Sequence, residues 1–341
     1  MTASAPPLTR SASNLNSYVA RNAKALAGLG VVVVALIVAY RWDGTQTTAV
    51  MARTVREAAP LILAALCGLV GERSGIINIG IEGQLLLSAF CGFMVGSYSG
   101  SIILAVVAAL AVAGLAGTFL AWTSIRLRMD QIIAGTVINI FAIGATSFFY
   151  VPNRTMATIP TVSLGFLSDV PLVGPMLFDH GPLTYAALVA VAVVHVALFE
   201  TRWGLRTRAV GEHPSAADTV GVDIFRLRYL NLTLAGMLAG LGGMALIQSA
   251  GVFNRGMSNG KGFIALAVML IGRYRPTGVL AAALLFGFFN ALQAQLQFKQ
   301  VFDIPPQFFG MIPFVLTIAV LAIAGISVRP PAAVGKHYEK E

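Results

Sequence analysis

Charged residues are scarce in this chain. Asp, Glu, Lys and Arg together make up 11% of its 341 residues, whereas soluble domains carry roughly 25%. Hydrophobic residues make up 57% of the sequence. This composition excludes an ordinary soluble domain and predicts an all-α protein that crosses a membrane many times.

Cysteine and histidine are also rare. The two cysteines fall in apolar segments, and the four histidines are scattered along the chain. No disulfide framework and no metal site are therefore predicted. The net charge of +9 would suit nucleic acid, but excess Lys and Arg are ordinary in the cytoplasmic loops of membrane proteins. We expect contact with membrane lipid and no nucleic-acid partner.

Apolar stretches predict about ten transmembrane helices, because a span needs about 20 mostly apolar residues. Two of the stretches, 57–70 and 262–272, are short, and each adjoins a polar, glycine-rich segment. Short, interrupted pairs of this kind indicate the binding site of a transporter. The predicted spans are 25–40, 57–70, 81–98, 101–123, 131–150, 183–200, 229–248, 262–272, 277–296 and 308–326.

The distribution of basic residues predicts the topology. With the N-terminus inside and the spans alternating, most Lys and Arg residues fall in cytoplasmic loops, so both termini are predicted to be cytoplasmic. Residues 1–24 form a basic tail predicted to be disordered, 25–326 the transmembrane domain, and 327–341 a cytoplasmic tail. The proline-rich loop 151–182 is predicted to be external, as an ordered irregular cap.

The segment Gly71–Gln84 places polar groups between two apolar stretches. Non-helical backbone at membrane depth survives only where protein buries it or where it lines a wet cavity. One interpretation is a broken element lining a translocation path, with Asn78, Glu82 and Gln84 offering hydrogen bonds to sugar hydroxyls or nucleobase edges. The alternative is a polar joint between helices, with Glu72, Arg73 and Glu82 paired among themselves.

A faint internal repeat relates Asn78–Gly83 to Asn259–Phe263. Five predicted spans separate the two copies, so they would lie in opposite orientations, as in many transporters; chance similarity is the alternative. Asn259 is therefore added to the predicted path. Asn139 and Asn290 either line the path or bond neighbouring helices.

The cytoplasmic loop 201–228 contains a predicted short helix. Pro214 suits its first position, and Gly221 suits the position just past its end. Small residues and flanking arginines would let it dock on a soluble partner or contact lipid headgroups; the alternative is a basic loop on the membrane surface. The coupling residues predicted here are Gly211, Glu212, Pro214, Ala216, Ala217 and Gly221.

The segment Gly256–Gly262 only superficially resembles a phosphate loop. The Walker pattern needs four residues between its glycines and a Ser or Thr after the Lys. Here three residues intervene and Gly262 follows Lys261, and the segment is predicted to be external. We therefore expect this chain to bind no cofactor and to have no catalytic residues.

Two long motifs together resemble the permease subunits of ATP-binding-cassette (ABC) importers of the branched-chain amino acid/ribose type. The first is the loop Arg208–Val222, which continues to Asn231–Gly243. The second, Gly71–Gly83, is similar to the nucleoside ("simple sugar") members of that family, as are Asp130–Asn139 and Gly262–Gly272.

The resemblance implies a permease of about ten helices in the bacterial cytoplasmic membrane, with a coupling helix between spans six and seven. It also implies three partners: a cytoplasmic ABC ATPase, which has two cassettes in one chain in many systems, a second related permease and an extracytoplasmic substrate-binding lipoprotein. ATP and Mg²⁺ would bind to the ATPase. The implied cargo is a nucleoside.

Other functions stay open at this point. One is a permease of the same family for ribose or another simple sugar. Another is an ion- or proton-coupled secondary transporter, for which Glu57 and Glu82 are the candidate titrating groups. A third is a membrane scaffold that transports nothing.

Overall fold

Helices make up nearly all of the regular structure. The computed structural model describes residues 38, 41, 43–163, 165–168, 170, 173–299, 311, 315 and 329–339. Within this part the α-helices are α1 (Gly44–Arg73), α2 (Ile81–Ser99), α3 (Ile102–Ile125), α4 (Gln131–Phe148), α5 (Val173–Leu177), α6 (Pro182–Glu200), α7 (Arg202–Glu212), α8 (Pro214–Thr219), α9 (Ile224–Ala250), α10 (Lys261–Ile271) and α11 (Pro276–Lys299).

Six of the described helices, α1, α3, α4, α6, α9 and α11, are long and apolar enough to cross a membrane. Helix α2 closely matches the predicted span 81–98 but is not among the six, because polar residues interrupt its first turns. The predicted spans 25–40 and 308–326 lie outside the described residues, apart from residues 38, 311 and 315. Ten spans therefore stay a prediction, and a helical membrane protein with several spans is confirmed.

Helix α1 corrects the prediction of a short span at 57–70, because it is 30 residues long. It begins at the N-cap Asp43, whose side chain accepts a hydrogen bond from Gln46 N at 3.0 Å. The charged residues of its first half, Arg53, Arg56 and Glu57, have the spacing that places them on one helix face, where Arg53 and Glu57 pair at 3.7 Å. The span predicted from hydropathy stops at these charges, whereas the helix continues past them to Gly44. The short helix predicted at 262–272 is confirmed as α10.

The centre of the bundle is α1. Its most apolar window is 89% buried, and α9, α10 and α11 pack around it. Small residues let the other helices approach closely: a Cβ atom on Gly236 would overlap Ala113 O of α3, and one on Gly240 would lie 2.8 Å from Ala109 O. This is the close helix packing that small residues permit in membranes.

An irregular cap covers one end of the bundle. It contains a two-residue antiparallel pair, β1 (Val162–Ser163) with β2 (Asp179–His180), and the five-residue helix α5. The cap rests on the end of α2, where the Arg154 guanidinium lies 3.9 Å from the centre of the Tyr98 ring. The predicted irregular cap is thus present in the described part of 151–182, together with a short helix that was not predicted.

The opposite end carries the arginine-rich turns. Arg73 there lies close enough to Arg208, Arg275 and Glu212 to interact with each electrostatically. These basic residues belong to the set that the charge distribution assigned to the cytoplasm. We call this the basic end and the other the cap end; which of them faces the cytoplasm stays a prediction.

Candidate functional site

The chain between α1 and α2 is a break in helix inside the bundle. Residues 74–80, which we call the joint segment, are all buried or half-buried. The joint segment satisfies the last carbonyls of α1: Gly75 N donates to Glu72 O at 3.0 Å, and Ile76 N donates to Gly71 O at 3.2 Å. Gly75 adopts φ +89°, a conformation that glycine accommodates without strain. The predicted interruption is therefore an ordered turn.

Side chains from two other helices bind the backbone of the joint segment. Arg228 Nε of α9 donates to Ser74 O at 3.0 Å. Gln131 Oε1 of α4 accepts from Ile77 N at 2.7 Å. Buried backbone groups need such partners, so α4 and α9 hold the break in its observed shape.

The turn between α10 and α11 holds the last residues of α1, just before the joint segment. The Tyr274 hydroxyl donates to Glu72 Oε2 at 2.7 Å, and Arg73 Nη2 donates to Tyr274 O at 2.8 Å. Burial, reinforced by the adjacent Glu72 carboxylate, raises the pKa of the Tyr274 phenol, which therefore stays protonated and able to donate. The suggested pairing of Glu72, Arg73 and Glu82 among themselves is wrong, because Glu72 and Arg73 both bind Tyr274.

Two of the predicted path residues bind each other. Asn78 and Gln84 are both fully buried, and Asn78 Nδ2 donates to Gln84 Oε1 at 3.1 Å and to Cys67 Sγ at 3.4 Å. This small polar cluster connects α1, the joint segment and α2. In this conformation the two amides hold the break together and are closed to solvent.

Asn139 of α4 clamps the start of α2. Its Oδ1 accepts from Gly83 N at 2.7 Å, and its Nδ2 donates to Ile79 O at 3.0 Å. The amide thus satisfies one donor and one acceptor of a buried backbone. Of the two functions left open for Asn139, it performs the bonding of neighbouring helices here.

Glu82 joins the two segments of the faint repeat. Its Oε1 accepts from Gly260 N at 2.8 Å, and its Oε2 accepts from Gly262 N at 2.6 Å. The carboxylate thereby caps the N-terminus of α10, where free N–H groups and the helix dipole favour a negative charge. Glycine is required at 262, because a Cβ atom there would lie 2.5 Å from the backbone of Glu82.

Helices α2 and α10 begin at about the same depth and run toward opposite ends. From Glu82, α2 runs about 25 Å, at 1.5 Å per residue, to the cap end. From Lys261, α10 runs about 15 Å to the turn that binds Glu72 at the basic end. This opposed arrangement is what an inverted pair would give; the sequence repeat itself stays a prediction.

The segment 251–260 carries the second break. It descends from the end of α9 beside α2, where Phe253 packs on Phe90 with ring centres 5.1 Å apart, and it ends at Glu82. The external position predicted for Gly256–Gly262 is therefore wrong at its last residues, which lie inside the bundle, because hydropathy does not show where a polar segment turns inward. Asn259 is exposed, with φ +43°.

Asn290 lies apart from this cluster. It is half-buried on α11, one turn after Gly287, which contacts Thr54 near the cap end of α1. The described structure therefore brings together Asn78, Glu82, Gln84, Asn139 and Asn259, and leaves Asn290 outside.

Sequence reasoning missed Arg228 and Gln131 as partners of the joint segment, and Tyr274 as a partner of the end of α1. In the sequence, Arg228 is one of the basic residues of the loop 201–228, and Gln131 is the first residue of a predicted span. Tyr274 bonds to a residue 202 positions away. A local pattern does not reveal partners so distant in the sequence.

The predicted short helix of the loop 201–228 is confirmed as α8 at the basic end. Pro214 is its first residue, and Gly221 follows it with φ +83°. The two alanines differ: Ala216 is exposed, whereas Ala217 is 3% exposed and packs in a cluster with Val210 and Ile224. Only Ala216 is open to contact by a partner.

Just before α8, Gly211 and Glu212 connect this surface to the rest of the basic end. A Cβ atom on Gly211 would overlap Arg73 O, so the end of α7 rests directly on the end of α1. Glu212 is exposed, and its Oε2 accepts from Ala332 N at 3.1 Å.

Comparisons with known proteins identify the family of this chain. Residues 50–321 match the family described as branched-chain amino acid transport system / permease component. No solved structure matches the chain significantly.

Three relatives illustrate the family. The guanosine ABC transporter permease protein NupQ of Bacillus subtilis is 36% identical over 84% of this chain and 95% of its own length. The nucleoside ABC transporter permease protein NupC of Lactococcus lactis is 32% identical, over 85% and 96%. The putative glucose ABC transporter permease protein TsgC13 of Haloferax volcanii is 34% identical, over 84% and 96%. The chain is a transport component and not an enzyme, and it belongs to the branched-chain amino acid transport system permease family of ABC transporters.

Proposed function

We propose that this chain is the permease subunit of an ATP-driven importer that carries nucleosides across the bacterial cytoplasmic membrane. The observation that carries the proposal is its similarity to NupQ and NupC, each matched over at least 95% of its own length. Both relatives are named for nucleoside or guanosine transport. The family match over residues 50–321 includes the joint segment and α8.

The proposed complex contains three further proteins. A cytoplasmic ABC ATPase binds ATP and Mg²⁺; its two cassettes lie either in one chain or in two. A second, related permease completes the membrane part, and an extracytoplasmic lipoprotein delivers cargo. The basic end and both termini then face the cytoplasm.

In this proposal, the chain alternates between two access states that ATP at the partner biases. Helix α8 receives the motion of the ATPase. The close contact of Gly211 with Arg73 O passes that motion to the end of α1 and on to the joint segment. From there the bonds of Glu82 to Gly260 and Gly262 reach the second break, halfway through the bundle.

The pathway residues follow from the same picture. Asn259 is exposed beside Glu82 and is the best placed to meet cargo in the observed state. Asn78, Gln84 and Asn139 use their amides inside the protein, so they would contact cargo only in a state in which these bonds open. Asn290 would line the path nearer the cap end.

One alternative cargo is a simple sugar, which the 34% identity to TsgC13 favours. Uptake of labelled guanosine, uridine, ribose and glucose by a strain lacking the gene, with and without the gene restored, separates the two. We expect restored uptake of nucleosides alone; restored uptake of sugar alone would replace the nucleoside proposal.

Coupling is tested by Ala216→Arg, which adds a long cation to the exposed side of α8. We expect ATP-driven uptake to fall at least tenfold, because the partner can no longer approach the helix. The matched control is Ala209→Arg, an exposed alanine on α7, which should leave uptake within about twofold. Normal uptake by the Ala216 variant would contradict the coupling role of α8. A separate experiment tests the energy source. If an uncoupler abolishes uptake in cells that retain ATP, the protein is a secondary transporter instead.

A further inference from the structure

The C-terminal segment crosses the basic end as an ordered strap. Residues 331–339, which we call the strap, have no helix or strand. Pro331 and Ala333 within it are buried. A segment without helix or strand keeps such burial only where contacts to the rest of the protein hold it in place.

The first part of the strap binds the region that leads into α8. Ala332 N donates to Glu212 Oε2 at 3.1 Å, and Ala333 N donates to Gly211 O at 2.9 Å. These bonds satisfy the carbonyl of Gly211 and the Glu212 carboxylate at the end of α7. The hinge between α7 and α8 is thus paired with the strap.

The last part of the strap binds α8 itself. The Tyr338 hydroxyl donates to Asp218 Oδ2 at 2.9 Å, and a bond to a charged acceptor is stronger than one between neutral groups. The Tyr338 ring packs against the cluster that buries Ala217, with its centre 6.0 Å from that of Phe225. The strap therefore contacts both ends of the segment 211–218.

The middle of the strap binds the joint segment. Gly335 N donates to Gly75 O at 3.2 Å, and Gly335 has φ +78°, a conformation suited to glycine. At the end of the strap, Glu339 pairs with Arg128, beyond α3, at 2.6 Å. One short segment thus touches α8, the joint segment and the end of α3.

We propose that the strap positions α8 against the joint segment, so that movement of α8 reaches the broken helix partly through the C-terminus. This inference rests on the proposed coupling role of α8. Tyr338 is its main positioning residue, because its hydroxyl and ring both hold α8. The strap adds a second connection to the direct contact between Gly211 and Arg73.

Tyr338→Phe tests the proposal, because it removes the hydroxyl and keeps the ring. We expect amide hydrogen exchange of residues 212–220, measured in the assembled transporter, to become about tenfold faster, as the loss of a hydrogen bond to a charged group predicts. Uptake per ATP hydrolysed should fall severalfold while the complex still hydrolyses ATP. Deleting residues 331–341 should give larger changes of the same kind.

The matched control is Tyr229→Phe on α9, since the Tyr229 hydroxyl has no hydrogen-bond partner among the described residues. It should leave exchange of 212–220 and uptake unchanged. If amide exchange of residues 212–220 is unchanged in both the Tyr338 variant and the deletion variant, the strap does not position α8. If exchange becomes faster but uptake per ATP stays normal, the strap has no part in coupling. If Ala216→Arg also leaves uptake intact, the proposed coupling role of α8 is wrong. If Ala216→Arg abolishes uptake but the strap variants do not reduce it, only the proposed role of the strap is wrong.

Discussion

The two breaks in helix differ in how the protein holds them. The joint segment is buried or half-buried throughout. Side chains from α4 and α9 fix its position, and the 272–275 turn holds the end of α1 beside it. Half of the residues of the segment 251–260 are exposed, and the Glu82 carboxylate holds its end. The first break has the character of a rigid joint, and the second that of a surface open to a path.

This difference assigns separate tasks to segments that look alike in sequence. Both segments are glycine-rich, both contain an asparagine, and a helix follows each of them. Burial makes each polar group of the joint segment a structural requirement, whereas an exposed polar group such as the Asn259 amide is free of that constraint. We therefore expect substitutions in the joint segment to affect folding first and those at Asn259 to affect transport first.

The contact between the two breaks should show the largest effect. In Gly262→Ala the new methyl group lies 2.5 Å from backbone atoms of Glu82, and backbone cannot rotate away. We expect a loss of about 3 kcal/mol in the free energy of unfolding, seen as a lower midpoint in thermal unfolding of the purified protein in detergent.

The control for that change is Gly144→Ala on α4, where an added Cβ atom meets nothing within 4 Å. Alanine is a better helix former than glycine by about 0.5–1 kcal/mol, so this variant should match or exceed the parent midpoint. Equal midpoints for the two variants would show that the breaks are not in contact.

A pair of asparagine substitutions sharpens the contrast between the breaks. Asn78→Ala removes the amide that binds Gln84 and leaves buried polar atoms without partners, which costs roughly 2 kcal/mol. Asn259→Gly removes an exposed amide and keeps a residue suited to positive φ, so the change in stability should stay below about 0.5 kcal/mol.

Uptake provides the second measurement for this pair. We expect Asn259→Gly to raise the KM for cargo in uptake by the complete transporter, and Asn78→Ala to lower the amount of folded protein. If Asn259→Gly proved as destabilising as Asn78→Ala, the distinction between a rigid and an open break would be lost.

The last comparison sets the carboxylate that joins the breaks against a carboxylate on the surface. Glu82→Gln keeps the shape and one acceptor oxygen, but it loses the charge at the start of α10 and turns an NH2 group toward a backbone N–H donor. Stability should therefore fall by about 1–2 kcal/mol. Glu57→Gln, which removes one partner of the surface pair with Arg53, should cost less than about 0.5 kcal/mol. Chemical unfolding of both variants checks the order, and a larger loss in the Glu57 variant would contradict it.

Much of the helical layout was predictable because its boundaries are local. Asp130 and Pro182 mark the starts of α4 and α6 at or next to the predicted residues, since a side-chain cap and a proline at the first position act within one turn. Pro214 and Gly221 identified α8 in the same way.

The interior of the site was not predictable in this manner. Hydropathy ended the span at Glu57, although the charges of α1 lie on one face of a continuing helix. Nothing local shows that Tyr274 returns to Glu72, or that Gly262 lies inside the bundle. Ala216 and Ala217 are adjacent and alike, and only packing against Val210 and Ile224 separates an exposed residue from a buried one.

The bonds of Glu82 also set an order for making the protein. Gly262 is synthesised 180 residues after its carboxylate partner, a delay of roughly 10 to 40 s at 5–20 residues per second. Over that time Glu82 lacks its native partners, and an unpaired charge in a segment that enters the membrane is costly. Helix α10, with 11 residues, is also too short to cross the bilayer alone. The period between the synthesis of Glu82 and that of Gly262 is therefore when membrane insertion of this chain is most vulnerable.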